Sequence, residues 1–324
     1  MTMGMAEAAD RADSFVPHRF TEQLVDLGEI RMNYVAEGDP AAPALLLVPA
    51  QGESWWGYED AIGLLSSEFR VFAIDLRGQG RSTWTPGRYN LNTWGADVER
   101  FIDLVVQRPT IVAGNSSGGI ITAYVAAYAK PGLVRGAILE DPPLFSSQTA
   151  PPYGPGMTQT LGPIFALWAK WLGPQWSIGD WTGMVEAAPH ELPAFLHPGI
   201  GFMMGEGDPE AGASPTPVQH LKEYDPEWAQ AWVTGAANAG CDHTTMLTQV
   251  KVPTLLTHHF HMTDPDTGQL MGAMTDIQAA QARRLLETTG RPVTYTPLDA
   301  PHTMHAPMAQ RYADVITEWV ETLS

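Results

Sequence analysis

Gly114-Asn115-Ser116-Ser117-Gly118 sits between a short apolar run and a helical pattern, and that junction narrows the fold more than any other feature of the chain. The run, residues 110–113, is apolar without alternation, as suits a strand covered on both faces. Residues 120–128 then continue as a helix. The pentapeptide fits G-x-S-x-G, a weak signal by itself. Between a buried strand and a helix it reads as a nucleophile elbow, a sharp turn that strains its central residue and lifts the hydroxyl of Ser116 to the carboxyl edge of the sheet, where open α/β sheets bind ligands. The plainer reading is a glycine-rich turn with a capping serine.

The rest of the chain fits that setting. Residues 20–26 and 29–37 read as two strands around a Leu27-Gly28 turn. Further apolar runs fall at 44–48, 71–74, 136–139, 254–257 and 292–296. Between them lie helical patterns at 92–106, 276–287 and 308–323, the first with Trp94, Val98, Phe101, Ile102 and Val105 on one stripe. Strand alternating with helix is the mark of a mostly parallel, doubly wound α/β sheet. After Phe145 the composition changes: residues 146–240 are rich in Pro and Gly and carry Trp168, Trp171, Trp176, Trp181, Trp228 and Trp232. The expected organisation is a leader at 1–17, an α/β core at 18–145 and 241–324, and an inserted, mostly helical lid at 146–240. The plain reading of the lid tryptophans is packing.

Acidic residues outnumber basic ones 36 to 18, a formal charge of -18. Such a surface repels phosphate backbones and anionic lipid, so neither nucleic acid nor a membrane is an expected partner. The single cysteine, Cys241, forms no internal disulfide. Residues 1–14 have no apolar h-region and so do not read as a signal peptide, and no apolar run approaches a membrane span of roughly 18 residues. A cytoplasmic location is expected. The apolar content of the lid leaves room for a homodimer.

A serine hydroxyl needs a base. His302 follows the last strand and precedes the final helix, where this architecture places one, and His305 is the second choice. An oxyanion hole takes one backbone N–H from the residue after the nucleophile, Ser117, and another from residues 49–54. Pro49 has no N–H, which favours Gln51. The loop Asp75-Leu76-Arg77-Gly78-Gln79-Gly80-Arg81-Ser82 is expected to be structural. His258-His259-Phe260-His261 invites a metal reading, but a strand sends alternate side chains to opposite faces, and neither H-E-x-x-H nor C-x-x-C accompanies it. No metal and no cofactor is expected.

On the elbow, the 75–82 loop and His302, the core resembles the α/β-hydrolase superfamily over roughly 230 residues. More narrowly, the chain resembles bacterial zearalenone hydrolases, lactonases that open the macrocyclic ester of a fungal toxin. The shared stretches are residues 77–86, 113–119, 175–181 and 221–228, the last two in the lid. The resemblance implies a serine hydrolase of a lactone, zearalenone or a similar resorcylic lactone, working through an acyl-enzyme. It also implies the triad acid. In most of the superfamily the acid follows strand seven in a V-P-T-L-L-x-x-G-x-x-D pattern, but here Met262 holds that place. The alternative is an acid at the end of strand six, where these lactonases carry theirs, and Asp141 stands there, with Asp264, Asp266 and Glu140 as the other candidates. Trp228, in a segment that presents a tryptophan to the lactone in this family, is assigned to the substrate together with Pro142 and His305. The competing functions are other ester or carbon–carbon hydrolysis on the same triad, and a ligand receptor of slow turnover, since fold does not fix function.

Overall fold

The structure is a computed structural model and describes residues 18–148, 162–174, 177–199, 219–266, 268 and 270–323. The expected leader and Trp176 lie outside the described residues.

Strands β1 (Gln23–Asp26) and β2 (Arg31–Glu37) form an antiparallel hairpin, with Gly28 at φ +91° in its turn. They are followed by β3 (Ala44–Val48), β4 (Arg70–Ile74), β5 (Thr110–Asn115), β6 (Val134–Glu140) and β7 (Thr254–His258). A separate two-stranded ribbon, β8 (Met262–Thr263) with β9 (Leu270–Met271), precedes β10 (Val293–Pro297). The main sheet runs β1-β2-β4-β3-β5-β6-β7-β10. β2 is antiparallel to β4, and from β4 to β10 every neighbouring pair is parallel.

The continuous apolar runs arise because both faces are covered. Leu45, Leu47, Ile111 and Ala113 face one core, packed by α1 (Glu59–Leu65) and the final helix. Leu46, Val48 and Val112 face the other, packed by α2 (Leu91–Phe101) and α3 (Ser117–Tyr128). α3 is buried on almost every side, which is why it carries no amphipathic stripe and no charge. The helix expected over 92–106 stops at Phe101 and continues as a π-helical turn, Ile102–Val106. Its closing bond, Gln107 N–H to the Ile102 carbonyl at 2.7 Å, rotates the stripe so that Val106 rather than Val105 is buried.

Between β6 and β7 stand the helices α4 (Gly162–Trp171), α5 (Trp181–Glu191), α6 (Gln219–Lys222) and α7 (Pro226–Thr234). α4 packs on α7 and α5. α8 (His243–Leu247) returns to the core against α3 and α9 (Asp276–Glu287), and α10 (Ala309–Glu321) closes the chain. Among the described residues no helix is long and apolar enough to cross a membrane.

Candidate active site

β5 runs into the elbow and α3 runs out of it. Ser116 sits at φ +52°, ψ −120°, a conformation that costs a non-glycine residue free energy and persists only where its surroundings enforce it. Its N–H donates to the Glu140 carbonyl at 2.8 Å, tying the elbow to the end of β6. The turn needs its glycines: a Cβ on Gly114 would lie 2.2 Å from the Gly118 carbonyl oxygen, and one on Gly118 would lie 2.4 Å from that of Val48. Ser116 and His302 line the same cavity of about 650 Å³.

His302 Nδ1 lies 2.7 Å from Asp141 Oδ2. Asp141 is fully buried at φ +41°, and its second oxygen accepts the His259 N–H at 3.0 Å. Burial alone would raise the Asp141 pKa. The hydrogen bond and charge of His302, with the His259 amide, outweigh burial and hold it below the usual aspartate value. The same pair acts on His302: burial disfavours the imidazolium, but Asp141, Glu140 and Glu53 raise its pKa above the ordinary histidine value. The other candidate acids lie elsewhere. Glu140 accepts the Met304 N–H at 2.9 Å on the opposite side of the strand end, as alternation along a strand requires. Asp264 and Asp266 sit in the β8–β9 turn, where the Asp266 N–H donates to Asp264 Oδ1.

In the loop after β3, the Ala50 N–H is taken by Glu53 Oε2, and the Gly52 and Glu53 N–H groups by Gln79 Oε1. That leaves the Gln51 amide beside the cavity, and the Ser117 amide opens α3, where no intrahelical acceptor exists. Gln79, from the loop expected to be structural, thus sets which amide is free. Nothing in the sequence marks it beyond its place between two glycines.

The Alpha/beta hydrolase family matches residues 45–318, most of the chain. The chain belongs to the alpha/beta hydrolase family. Among curated proteins it is 30% identical to the chloroplastic pheophytinase of Arabidopsis thaliana over 34% of this chain and 30% of that protein. It is 30% identical to epoxide hydrolase 4 of Mus musculus over 34% of this chain and 31% of that one. The chain therefore spans about a third of these relatives. Solved structures extend the likeness of fold to nearly the whole length. The enol-lactonase of Burkholderia xenovorans LB400 superposes with a TM-score of 0.62 at 16% identity, covering 92% of this chain and 100% of that one. An esterase from Rhodococcus sp. ECU1013 gives 0.60 at 20% identity, covering 94% and 99%.

Of the three expected substrate residues of this alpha/beta hydrolase, the structure places Trp228 and Pro142 off the cavity lining and His305 on it. Trp228 is fully buried away from the cavity lining, and its indole N–H donates to the Arg77 carbonyl at 2.8 Å. It packs on Trp94 at 4.1 Å between ring centres and therefore has no donor left for a ligand. Pro142 packs against Gly119, while the next residue, Pro143, reaches the cavity. His305 touches the cavity wall, but both ring nitrogens face carboxylates, Nδ1 toward Glu140 at 3.3 Å and Nε2 toward Glu53 at 3.5 Å. The side chains between β6 and β7 that do line the cavity include Ile164, Phe165, Trp168, His220 and Trp232. Of these only the two tryptophans stood out in the sequence, and nothing there distinguished them from the other four. His220 is driven neutral by burial, its pKa lowered to about 4. The His258 and His261 rings stack at 4.0 Å with Asp276 beside them, their ligand atoms within 4.8 Å of one another. Near-parallel rings send their in-plane lone pairs side by side, and His258 is already bonded to Tyr295 and to the Met274 carbonyl.

Proposed function

We propose that the protein is a serine hydrolase of carboxylic esters, acting on a lactone held beneath the lid. The sequence resemblance favours zearalenone or a similar resorcylic macrocycle. The observation that carries this reading is the 2.7 Å pair of His302 and buried Asp141 at the floor of a cavity that Ser116, at its strained elbow, also lines. The cavity lies within the range of about 300–1,000 Å³ usual for ligands of this size, and its lining is largely apolar and aromatic.

On this reading Ser116 Oγ attacks the lactone carbonyl while His302 Nε2 takes its proton. Asp141 holds Nδ1–H, fixes the tautomer and stabilises the imidazolium. The carbonyl oxygen, now negative, accepts hydrogen bonds from the Gln51 and Ser117 amides. Collapse breaks the ring C–O bond, and His302 returns the proton to the leaving alkoxide, which stays tethered to the acyl group. Water, deprotonated by His302, then cleaves the acyl-enzyme and frees Ser116. The product of a resorcylic lactone would be a resorcylic acid, prone to lose carbon dioxide. None of these steps calls on a cofactor.

The test is loss of the lactone of zearalenone over many turnovers. A single stoichiometric burst would favour a receptor and sink the hydrolase reading. Ser116→Ala should lose a factor of about 10⁴ to 10⁶ in turnover while still binding ligand. Ser117→Ala, which keeps its backbone N–H, should retain most activity. The reverse pattern would overturn the elbow assignment.

A further inference from the structure

Three ionisable side chains beside the triad have no part in the steps above: Glu53, Glu140 and His305. Glu140 and His305 are fully buried, and Glu53 is three-quarters buried. They form a chain, Glu140 Oε2 to His305 Nδ1 at 3.3 Å and His305 Nε2 to Glu53 Oε2 at 3.5 Å. Tyr58 stacks on the imidazole at 3.8 Å, and Tyr312 meets it edge-on at 5.7 Å.

Each carboxylate also reaches a catalytic segment. Glu53 lies in the oxyanion loop, where its Oε2 accepts the Ala50 N–H at 3.3 Å, and its Oε1 accepts the hydroxyl of Thr303, the neighbour of His302, at 3.3 Å. Glu140 precedes Asp141. Its carboxylate accepts the Met304 N–H at 2.9 Å, and its carbonyl accepts the Ser116 N–H at 2.8 Å.

We propose that the Glu53–His305–Glu140 bridge is a positioning device for ester hydrolysis, clamping the oxyanion loop and the His302 loop to the strand end that carries Asp141. The proposal rests on the reading of Ser116, His302 and Asp141 as the triad. His305 touches no reacting atom; it acts through the two loops it joins. A neutral imidazole offers one N–H and can satisfy one carboxylate, whereas imidazolium donates at both nitrogens and can bridge the pair. Burial alone would favour the neutral ring, but the Glu140 and Glu53 charges raise its pKa to about 9, so the bridge is charged at neutral pH. A tie of this kind matters for rate because displacing a reacting group by about 1 Å can cost on the order of 10²-fold.

Removing His305 would leave two buried carboxylates facing one another, which endangers folding of that variant. Glu53→Gln and Glu140→Gln therefore carry the test, each confirmed as folded by thermal melting. Each should lower kcat by about tenfold to a hundredfold with KM within about threefold of wild type, as expected for a disturbed attack geometry. An arylboronic acid, which forms a tetrahedral adduct on a nucleophilic serine with an oxygen in the oxyanion hole, should lose affinity by a similar factor. Lactone binding measured in the Ser116→Ala background should stay unchanged. A kcat and boronate affinity within twofold of wild type in both folded variants would overturn the bridge alone, as would a loss confined to KM. If wild type binds no boronate and Ser116→Ala keeps turning over, the triad reading falls and the bridge proposal falls with it.

Discussion

Two lid tryptophans show how one residue type serves two ends. The Trp228 indole is spent on a backbone carbonyl in the core, while Trp168 lies on the cavity wall against Gly52 of the loop after β3. Trp228→Phe leaves the Arg77 carbonyl without its donor, a loss of about 1–3 kcal/mol, and the melting temperature should fall by several degrees with KM unchanged. Trp168→Ala should do the opposite, raising KM about tenfold or more with a smaller change in melting. Thermal melts and steady-state kinetics on the pair check this, and a raised KM in Trp228→Phe would return that residue to the ligand. Ser116 and His302 were legible because their order along the chain follows from the fold. Trp228 was not, because Trp228 and Trp232 stand four apart on one helix face, and only the tertiary structure sets which of them clears the Gly78 loop. On the proposed mechanism activity needs neutral His302, whose pKa is raised by Asp141 once the cost of burial is overcome, so kcat/KM should rise with pH and reach its midpoint above the ordinary value of about 6.5. In Asp141→Asn the midpoint should move down and the plateau should fall by a factor on the order of 10⁴. A midpoint at or below the ordinary value in wild type would remove Asp141 from that role.

Two of the stretches that carry the sequence resemblance meet in a seam between the core and the segment inserted between β6 and β7. Residues 77–79 meet residues 224–228: the Asp225 N–H donates to the Gly78 carbonyl at 2.9 Å, Gln79 and Tyr224 form a β-bridge, and the Tyr89 hydroxyl donates to Asp225 at 2.5 Å. Gln51 Nε2 donates to the Tyr224 hydroxyl at 2.6 Å, so the oxyanion loop is stitched to the same seam. Gly78 makes this approach possible. It sits at φ +83°, and a Cβ there would lie 2.6 Å from both the Trp228 and the Tyr89 rings. Gly78→Ala should therefore push α7 off the core. Proteolysis within residues 219–234 should speed up and KM should rise, while a small phosphonate that labels the serine keeps most of its rate. Proteolysis and KM like those of wild type would show that the seam does not hold the lid. Strands β3 and β4, and helix α9, were legible to within a residue because apolar runs and a helical pattern marked them. The β8–β9 ribbon was not, since two-residue strands carry no period to read. The sequence also could not say that the two resembling stretches, some 140 residues apart, were one contact.

The buried ionisable groups together set how stability depends on pH. On the acid side, His220 and His243 are held neutral when folded, with pKa values lowered to about 4 and about 3 by burial. His243 is bonded as a neutral ring, its Nδ1 accepting the Phe145 N–H at 3.1 Å. Below about 6.5 the unfolded chain takes up protons at these two rings that the folded chain refuses, so their contribution is present above that pH and is lost as pH falls. Asp141 and Glu53 act in the same sense, since both are held below the usual carboxylate range: Asp141 against burial by His302, Glu53 against burial by His305. Asp75, His305 and His302 act the other way, as do Asp97, Glu223 and Asp225, all three raised by burial. Burial raises Asp75 to about 7, and its two carboxylates raise His305 to about 9 against burial. Each then holds a proton longer in the folded state than in the unfolded one, so its contribution is present at low pH and is lost as pH rises through the folded value. Between about 6.5 and 9 His305 has no opponent among these groups, and His302, raised by Asp141 against burial, acts in the same sense. Stability should thus decline from about pH 6.5 toward pH 9, with a slope of at most about 1.4 kcal/mol per pH unit from one fully shifted group. Glu53→Gln removes one of the two charges that hold the His305 proton, so the alkaline decline should become shallower and end at a lower pH, while the acid side changes little. Urea midpoints taken across pH 4.5 to 9.5 measure both arms. An alkaline arm of the same depth and midpoint in Glu53→Gln as in wild type would mean that the His305 imidazolium is not what binds the oxyanion loop to β6.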